Sequence, residues 1–406
     1  MIMNNGEKIL ILSGRFGEGH LQAAKAIQEA AKLKYPEVQT MVVDFMEWAH
    51  PNLFPVSHFV YMKGIKTFPQ LYGFFYQKTY KSSSFSKKLN DAFSLGMRKM
   101  LHLLAAYKPS VVVSTYPFAS SVLSKLKENG LTNVPLVTVI TDHTHHSYWL
   151  HPYTDQYMVG SKQIKEKLIR LGIQAKKIAT TGIPIRTTFL EKSDKQAVME
   201  KYQLEKSKPT ILIMGGGEGL IGKGMLDPKT LEQFPQPLQL LVLCGHNEKL
   251  REQLLSELAC SKHSIKLLGY IERVDELMAV SDMIITKPGG VTTSEALAME
   301  LPMLLYKPLP GQEQDNARFL TASGAAVIAQ NPTELYALLA DMIENKPLLA
   351  KMKENCGKIQ KSQAAFHAVT IIAGLLNSRI FVVSADSIQQ RKFKPFRLLR
   401  KTLMHG

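Results

Sequence analysis

Three stretches of this chain carry residue types and spacings that could do chemistry. The first is Lys287-Pro288-Gly289-Gly290-Val291-Thr292-Thr293-Ser294-Glu295, which follows the apolar run Met283-Ile284-Ile285 and opens a helix-like pattern from Ser294 to Met299. A strand, a glycine turn and a helix start together make an anion site. The turn lets backbone N–H groups approach a phosphate, and the helix end adds partial positive charge. Glu295, expected in the first helical turn, is placed to take the hydroxyls of a ribose. Downstream lies an amide-rich cluster, Pro310-Gly311-Gln312-Glu313-Gln314-Asp315-Asn316. A phosphate cradle, a hydroxyl-binding acid and an amide loop, in that order, point to a nucleotide-sugar site. An ordinary strand–turn–helix connection with a solvated loop would show the same pattern.

The second stretch is Gly14-Arg15-Phe16-Gly17-Glu18-Gly19-His20, after an apolar strand. His20 stands at or near a helix N-terminus, where the dipole favours the neutral imidazole that a general base needs near pH 7. A capping role would use the same residue. The third is Thr141-Asp142-His143-Thr144-His145-His146-Ser147-Tyr148-Trp149-Leu150-His151. Asp142 closely follows a strand, a position from which it could orient an imidazole or hold an acceptor hydroxyl. The histidine density invites a metal, but no His-Glu-x-x-His and no cysteine in register accompanies it, so no metal is expected.

A further glycine loop, Gly215-Gly216-Gly217-Glu218-Gly219, follows the strand Thr210–Met214, and Gly217 to Gly222 fits G-x-G-x-x-G. The accessories of known cofactors are missing. Gly224 stands where a P-loop needs Ser or Thr for magnesium, and the strand ending near Cys244 runs into Gly245-His246-Asn247 with no acid for an NAD ribose. The chain also lacks Asp-x-Asp, the usual magnesium carboxylate pair for a nucleotide sugar. A glycine loop contacting a diphosphate fits best. Gly17, Gly216, Gly217, Asn247, Lys287, Gly289, Gly290, Thr292 and Glu295 are the expected donor contacts, with no cofactor.

Elements must position these groups. Strands are expected over residues 9–13, 41–43, 111–114, 136–140 and 157–159, with helices over 20–34, 120–129 and 163–171. The pattern restarts with strands over 210–214, 240–243, 283–286 and 303–306. Alternating strands and helices imply parallel βαβ units, and a chain of 406 residues exceeds one ordinary core. We expect an acceptor domain over residues 1–190, a donor domain over 191–375 and a basic amphipathic tail over 376–406. The final helices, after Pro347, are expected to pack back on the first domain.

The formal charge of +16 points to an acidic partner. Between Trp48 and Asn90 there is no Asp or Glu; lysines such as Lys63, Lys66, Lys78 and Lys81 alternate with aromatics such as Phe59, Tyr72, Phe75 and Tyr80. Residues 391–401 repeat that character. Such segments suit the headgroup layer of an anionic membrane, and no recognition helix or RNA-binding signature favours nucleic acid. Three scattered cysteines fit a reducing cytoplasm, no signal peptide is legible at the N-terminus, and no apolar run reaches 18 residues.

With these residues in view, the chain resembles family 28 glycosyltransferases of the processive diacylglycerol glucosyltransferase and monogalactosyldiacylglycerol synthase type. The matching pieces are Gly17–His20, Thr141–His146, Trp149 and His151, Gly182–Arg186, Gly269-Tyr270-Ile271-Glu272-Arg273, Lys287–Glu295 and Pro310–Asn316. Glu18, His143 and His145 depart from the family pattern, on the acceptor side. The resemblance implies α/β GT-B architecture, two Rossmann-like doubly wound domains facing across a cleft. It implies a UDP-sugar donor, with Tyr270 and Ile271 near the uracil, Gly289 and Gly290 at the diphosphate, Glu295 at the ribose, and Gln312 and Glu313 at the sugar hydroxyls. It makes His20 the candidate base and sets Asp142, His146 and Trp149 toward a lipid acceptor such as diacylglycerol at the cytoplasmic membrane face. The activity so implied is inverting hexosyl transfer. A UDP-sugar epimerase of the same fold and a non-catalytic membrane-bound UDP-sugar sensor are the alternatives.

Overall fold

The computed structural model describes residues 6–15, 18–49, 51, 96–216, 219, 226–376 and 380–383. Gly17, Gly217, most of the aromatic–lysine segment and the basic tail lie outside the described residues. The chain divides into two compact units, Met1–Arg186 with Gln363–Gly406, and Thr187–Ser362.

Among the described residues the first unit holds β1 (Lys8–Ser13), β2 (Gln39–Asp44), β3 (Val111–Ser114), β4 (Leu136–Val139), β5 (Gln156–Met158) and β6 (Ile178–Ala179). They form one parallel sheet in the order β2-β1-β3-β4-β5-β6. Both faces of the central strands are covered, so β1 and β3 are largely apolar and their alternate residues serve different cores. Ile9 and Ile11 of β1, with Val111 and Val113 of β3, face the helices Glu18–Lys34 and Ala364–Ala373. Leu10, Leu12 and Val112 face the helices Met97–Tyr107 and Pro117–Glu128.

The helix Ala364–Ala373 belongs to the first unit although residues 191–375 were expected to form the second domain. Its Ala365, Ala368 and Ala373 meet Ala24, Ala26, Ala30 and Ala31 of the helix Glu18–Lys34. Small side chains on both helices allow the close approach that ridge-and-groove packing needs. Lys34 Nζ also donates to Thr370 Oγ1 at 2.5 Å. The preceding helix, Lys346–Ile359, stays in the second unit, where Cys356 and Met352 are buried. Among the described residues after Pro347, the helix Ala364–Ala373 is thus the one that returns to the first unit.

The second unit holds β7 (Thr210–Met214), β8 (Gln239–Leu243), β9 (Ser264–Leu268), β10 (Met283–Thr286), β11 (Met303–Tyr306) and β12 (Ala326–Ala329), parallel in the order β12-β11-β10-β7-β8-β9. β6, β9 and β12, missing from the expected strands, all lie at sheet edges.

Two of the unusual histidines are parts of the core. His151 donates from Nε2 to the Pro117 carbonyl at 3.1 Å, while its backbone exchanges two 2.9 Å hydrogen bonds with the Tyr157 hydroxyl. His143 is buried against Gly160, just past β5, where a Cβ would stand 2.8 Å from the imidazole Cε1. Glycine is required there by that close approach. Gly160→Ala should cost about 1–3 kcal/mol of stability by overpacking. In denaturant titrations, a His143→Ala background should relieve much of that cost; strictly additive losses would show that the two positions do not meet.

Candidate active site

The strand order of the first unit reverses between β1 and β3, the switch point at which doubly wound sheets open a crevice. His20 lies there, third in the helix Glu18–Lys34. Its Nδ1 is 3.1 Å from Thr141 Oγ1, just past β4. Its carbonyl accepts from Thr115 Oγ1, just past β3, at 2.9 Å. The Tyr116 and Trp149 rings flank the imidazole at 5.5 and 5.9 Å. Burial pushes the His20 pKa down to about 4, only partly offset by the ring's contact with the Thr115 backbone, which favours the protonated form, so the imidazole is neutral at pH 7.

Asp142 is the next residue beyond Thr141 and is half-buried. The Thr141 hydroxyl, which residue type and spacing do not single out, also meets the imidazole. His146 is buried, and its Nδ1 accepts the Tyr148 N–H at 3.3 Å. That acceptor role leaves the ring proton of neutral His146 on Nε2. Trp149 is fully buried beside His20. The structure therefore brings His20, Thr141 and Trp149 together, with Asp142 and His146 on the same short connection.

In the second unit the order reverses between β7 and β10, and the two glycine turns follow these two strands. The helix after β10 starts at Gly290, with Gly289 as its N-cap, four residues before the expected helical pattern. Glu295 consequently lies in the second turn rather than the first, and it is buried. Gly289 supplies no side-chain cap, and nothing lies within 4 Å of the position its Cβ would take. Open amides of the first turn are what an anion site at a helix start requires. Thr292 lies in that turn and is half-buried.

Side chains brace this turn from two sides. Thr286 Oγ1 donates to the Met214 carbonyl at 2.8 Å, tying the end of β10 to the end of β7. Asn316 Nδ2 donates to the Pro288 carbonyl at 2.9 Å. The loop after β7 is tied in turn to β8: at Gly219, with φ of 58°, an added Cβ would fall 1.8 Å from the Cys244 carbonyl oxygen. Gly216 is also in the left-handed region. Glu313, in the first turn of the helix Gln312–Ala322, accepts the Leu309 N–H at 2.7 Å. Burial raises its pKa, while the Lys287 charge and that hydrogen bond act in the opposite direction. Gln312 is adjacent.

Asn247 caps the helix Glu248–Glu257 through Oδ1, accepting from Leu250 at 3.1 Å. Tyr270, exposed past the end of β9, stacks on His246 past the end of β8, with centroids 4.4 Å apart and planes within 12°. Ile271 follows it. Arg273 is engaged structurally, its guanidinium donating to the buried Asp275 at 2.8 to 3.2 Å.

Comparison with known proteins bears on both units. Residues 20–185 match the family model for monogalactosyldiacylglycerol (MGDG) synthase, and residues 210–369 match the glycosyltransferase family 28 C-terminal domain. Processive diacylglycerol beta-glucosyltransferases of Bacillus cereus and Bacillus cytotoxicus are each 34% identical over 371 residues, spanning 91% of this chain and 94% of the relative. The chain belongs to glycosyltransferase family 28. Solved structures agree on the fold of this family 28 chain. Acinetobacter baumannii MurG superposes with TM-score 0.60 at 17% identity, covering 91% of this chain and 99% of its own. The UDP-GlcNAc 2-epimerase of Neisseria meningitidis gives TM-score 0.60 at 16% identity, covering 90% and 100%. The architecture is GT-B, two Rossmann-like units in series.

Two outcomes test this geometry in the family 28 protein. Gly289→Ala should fold like the wild type, because its φ of −70° and ψ of 138° suit alanine and the methyl meets no neighbour. Calorimetric titration should nonetheless show weakened UDP binding; undiminished affinity would move the diphosphate elsewhere. Burial also holds the His143 pKa at about 3 and that of His151, like that of His20, at about 4. Below pH 6.5 the unfolded chain therefore takes up protons that the folded chain refuses, and stability falls toward those values, by about 1.4 kcal/mol per pH unit for each histidine. Urea unfolding of the first unit should show a lower midpoint at pH 5 than at pH 7, and equal midpoints would contradict the shifts.

Proposed function

We propose that this chain transfers a hexose from a UDP-sugar to the hydroxyl of diacylglycerol, inverting the anomeric carbon. The observation that carries this reading is its 34% identity, across 91% of the chain, with processive diacylglycerol beta-glucosyltransferases. The neutral imidazole at the switch point of the first unit supports it, and so does the uncapped helix start at that of the second. The relatives' name makes glucose the first sugar to test.

In the proposed reaction His20 Nε2 accepts the proton of the acceptor hydroxyl, and the oxygen attacks the sugar C1. The bond from C1 to the diphosphate breaks, and UDP leaves with the electron pair. The amide of Gly290, in the turn that Gly289 opens, stabilises the departing charge, and Lys287 lies close enough in sequence to add a cation. Glu295 takes ribose hydroxyls, Gln312 and Glu313 take sugar hydroxyls, and Tyr270 and Ile271 border the base. Asp142, His146 and Trp149 line the acceptor side. We expect no metal requirement, because amides and a helix start supply the positive potential at the turn and the chain has no Asp-x-Asp.

No helix among the described residues is long and apolar enough to cross a membrane. The acid-free aromatic segment and the basic tail support peripheral attachment to the anionic cytoplasmic face of the cell membrane.

The test is to incubate labelled UDP-glucose, UDP-galactose and UDP-GlcNAc separately with the protein and anionic vesicles containing diacylglycerol. Label should enter the lipid extract with one sugar, unaffected by EDTA, and His20→Ala should abolish it while UDP binding survives. A changed sugar still attached to UDP would instead mark an epimerase, and binding without turnover a sensor.

A further inference from the structure

We propose that Thr141 fixes the tautomer of His20, holding the proton on Nδ1 so that Nε2 presents its lone pair to the acceptor. The inference rests on the reading of His20 as the base and assigns a positioning residue to it. Neutral imidazole carries a proton on one nitrogen only, and a hydroxyl can either donate or accept. The 3.1 Å contact between Nδ1 and Thr141 Oγ1 therefore admits two arrangements. If Thr141 donates, Nε2 carries the proton and cannot take another. If Thr141 accepts, Nε2 is the basic nitrogen.

Catalysis distinguishes the two. Once Nε2 has taken a proton, both ring nitrogens are donors, and Nδ1–H needs an acceptor. Thr141 already in the accepting role keeps its hydrogen bond unchanged through the transfer. In the donating role it would have to turn its proton away first.

The surroundings suit a fixed partner. Thr141 is 3% exposed just past β4, and its β-branched side chain has few rotamers. Thr115 anchors the His20 carbonyl, and the Tyr116 and Trp149 rings bound the imidazole. A hydroxyl partner adds no charge. It orients the ring without the strong pull on its basicity that a carboxylate would exert.

Thr141→Val keeps the shape and removes the hydroxyl; Thr141→Ser restores it. Full-length protein with ¹⁵N-labelled histidine should show His20 protonated on Nδ1, the signal being assigned by its loss in His20→Gln. In Thr141→Val that signal should move toward the Nε2-protonated form. The kcat should fall about tenfold, the worth of one oriented hydrogen bond, while KM for the UDP-sugar stays unchanged. Thr141→Ser should recover both the spectrum and most of kcat. A wild-type His20 protonated on Nε2, or full kcat in Thr141→Val, would overturn the inference. Turnover retained in His20→Gln would instead remove the base reading and the catalytic part of this inference; a tautomer shift in Thr141→Val would then still establish the contact as a positioning one.

Discussion

The central strands of each parallel sheet are buried on both faces, so a polar side chain in the middle of one would find water on neither side. Polar groups that must meet a ligand are thereby confined to the strand ends. At the carboxyl ends the crossover helices begin, with amides pointing outward. Adjacent connections diverge only where the strand order reverses, between β1 and β3 and between β7 and β10. His20 and the Gly289 turn occupy these two places. The candidate groups of the chain sit where the packing of its cores permits them.

The two ends are tuned oppositely. Around His20, aromatic rings and threonine hydroxyls supply no formal charge, and burial keeps the imidazole neutral. Around the Gly289 turn, the Lys287 charge acts on the half-buried Glu313 and the helix start has no side-chain cap. One environment spares a lone pair from protonation; the other favours negative charge. A transferase that deprotonates an acceptor and releases a diphosphate needs both.

The central strands were legible because burial on both faces demands unbroken apolar runs, as in Ile9–Leu12 and Val111–Val113. Three of the four edge strands were not. β9 is half-buried and includes Lys266, β12 includes two alanines, and β6 spans two residues. An edge strand pairs on one side only, so its composition is weakly constrained. The helix start at Gly290 was also missed, since Gly-Val-Thr-Thr has poor helix propensity and the helix is set by its packing. Of the candidate site, the glycine turns, His20 and the acids could be read from residue type and spacing. Thr141 could not, because a threonine gains its meaning only from the imidazole that the fold brings to it across 121 positions.

The alanine-lined seat of the helix Ala364–Ala373 makes the first unit discontinuous in the chain. During synthesis, residues 187–362 emerge as a continuous block and can complete their core as they leave the ribosome. The first unit has its whole sheet by then but not the helix that closes one face. Until that helix arrives, the alanines of Glu18–Lys34 remain open to water. The half of the molecule translated first therefore receives its closing helix only after the residues of the other half have been made.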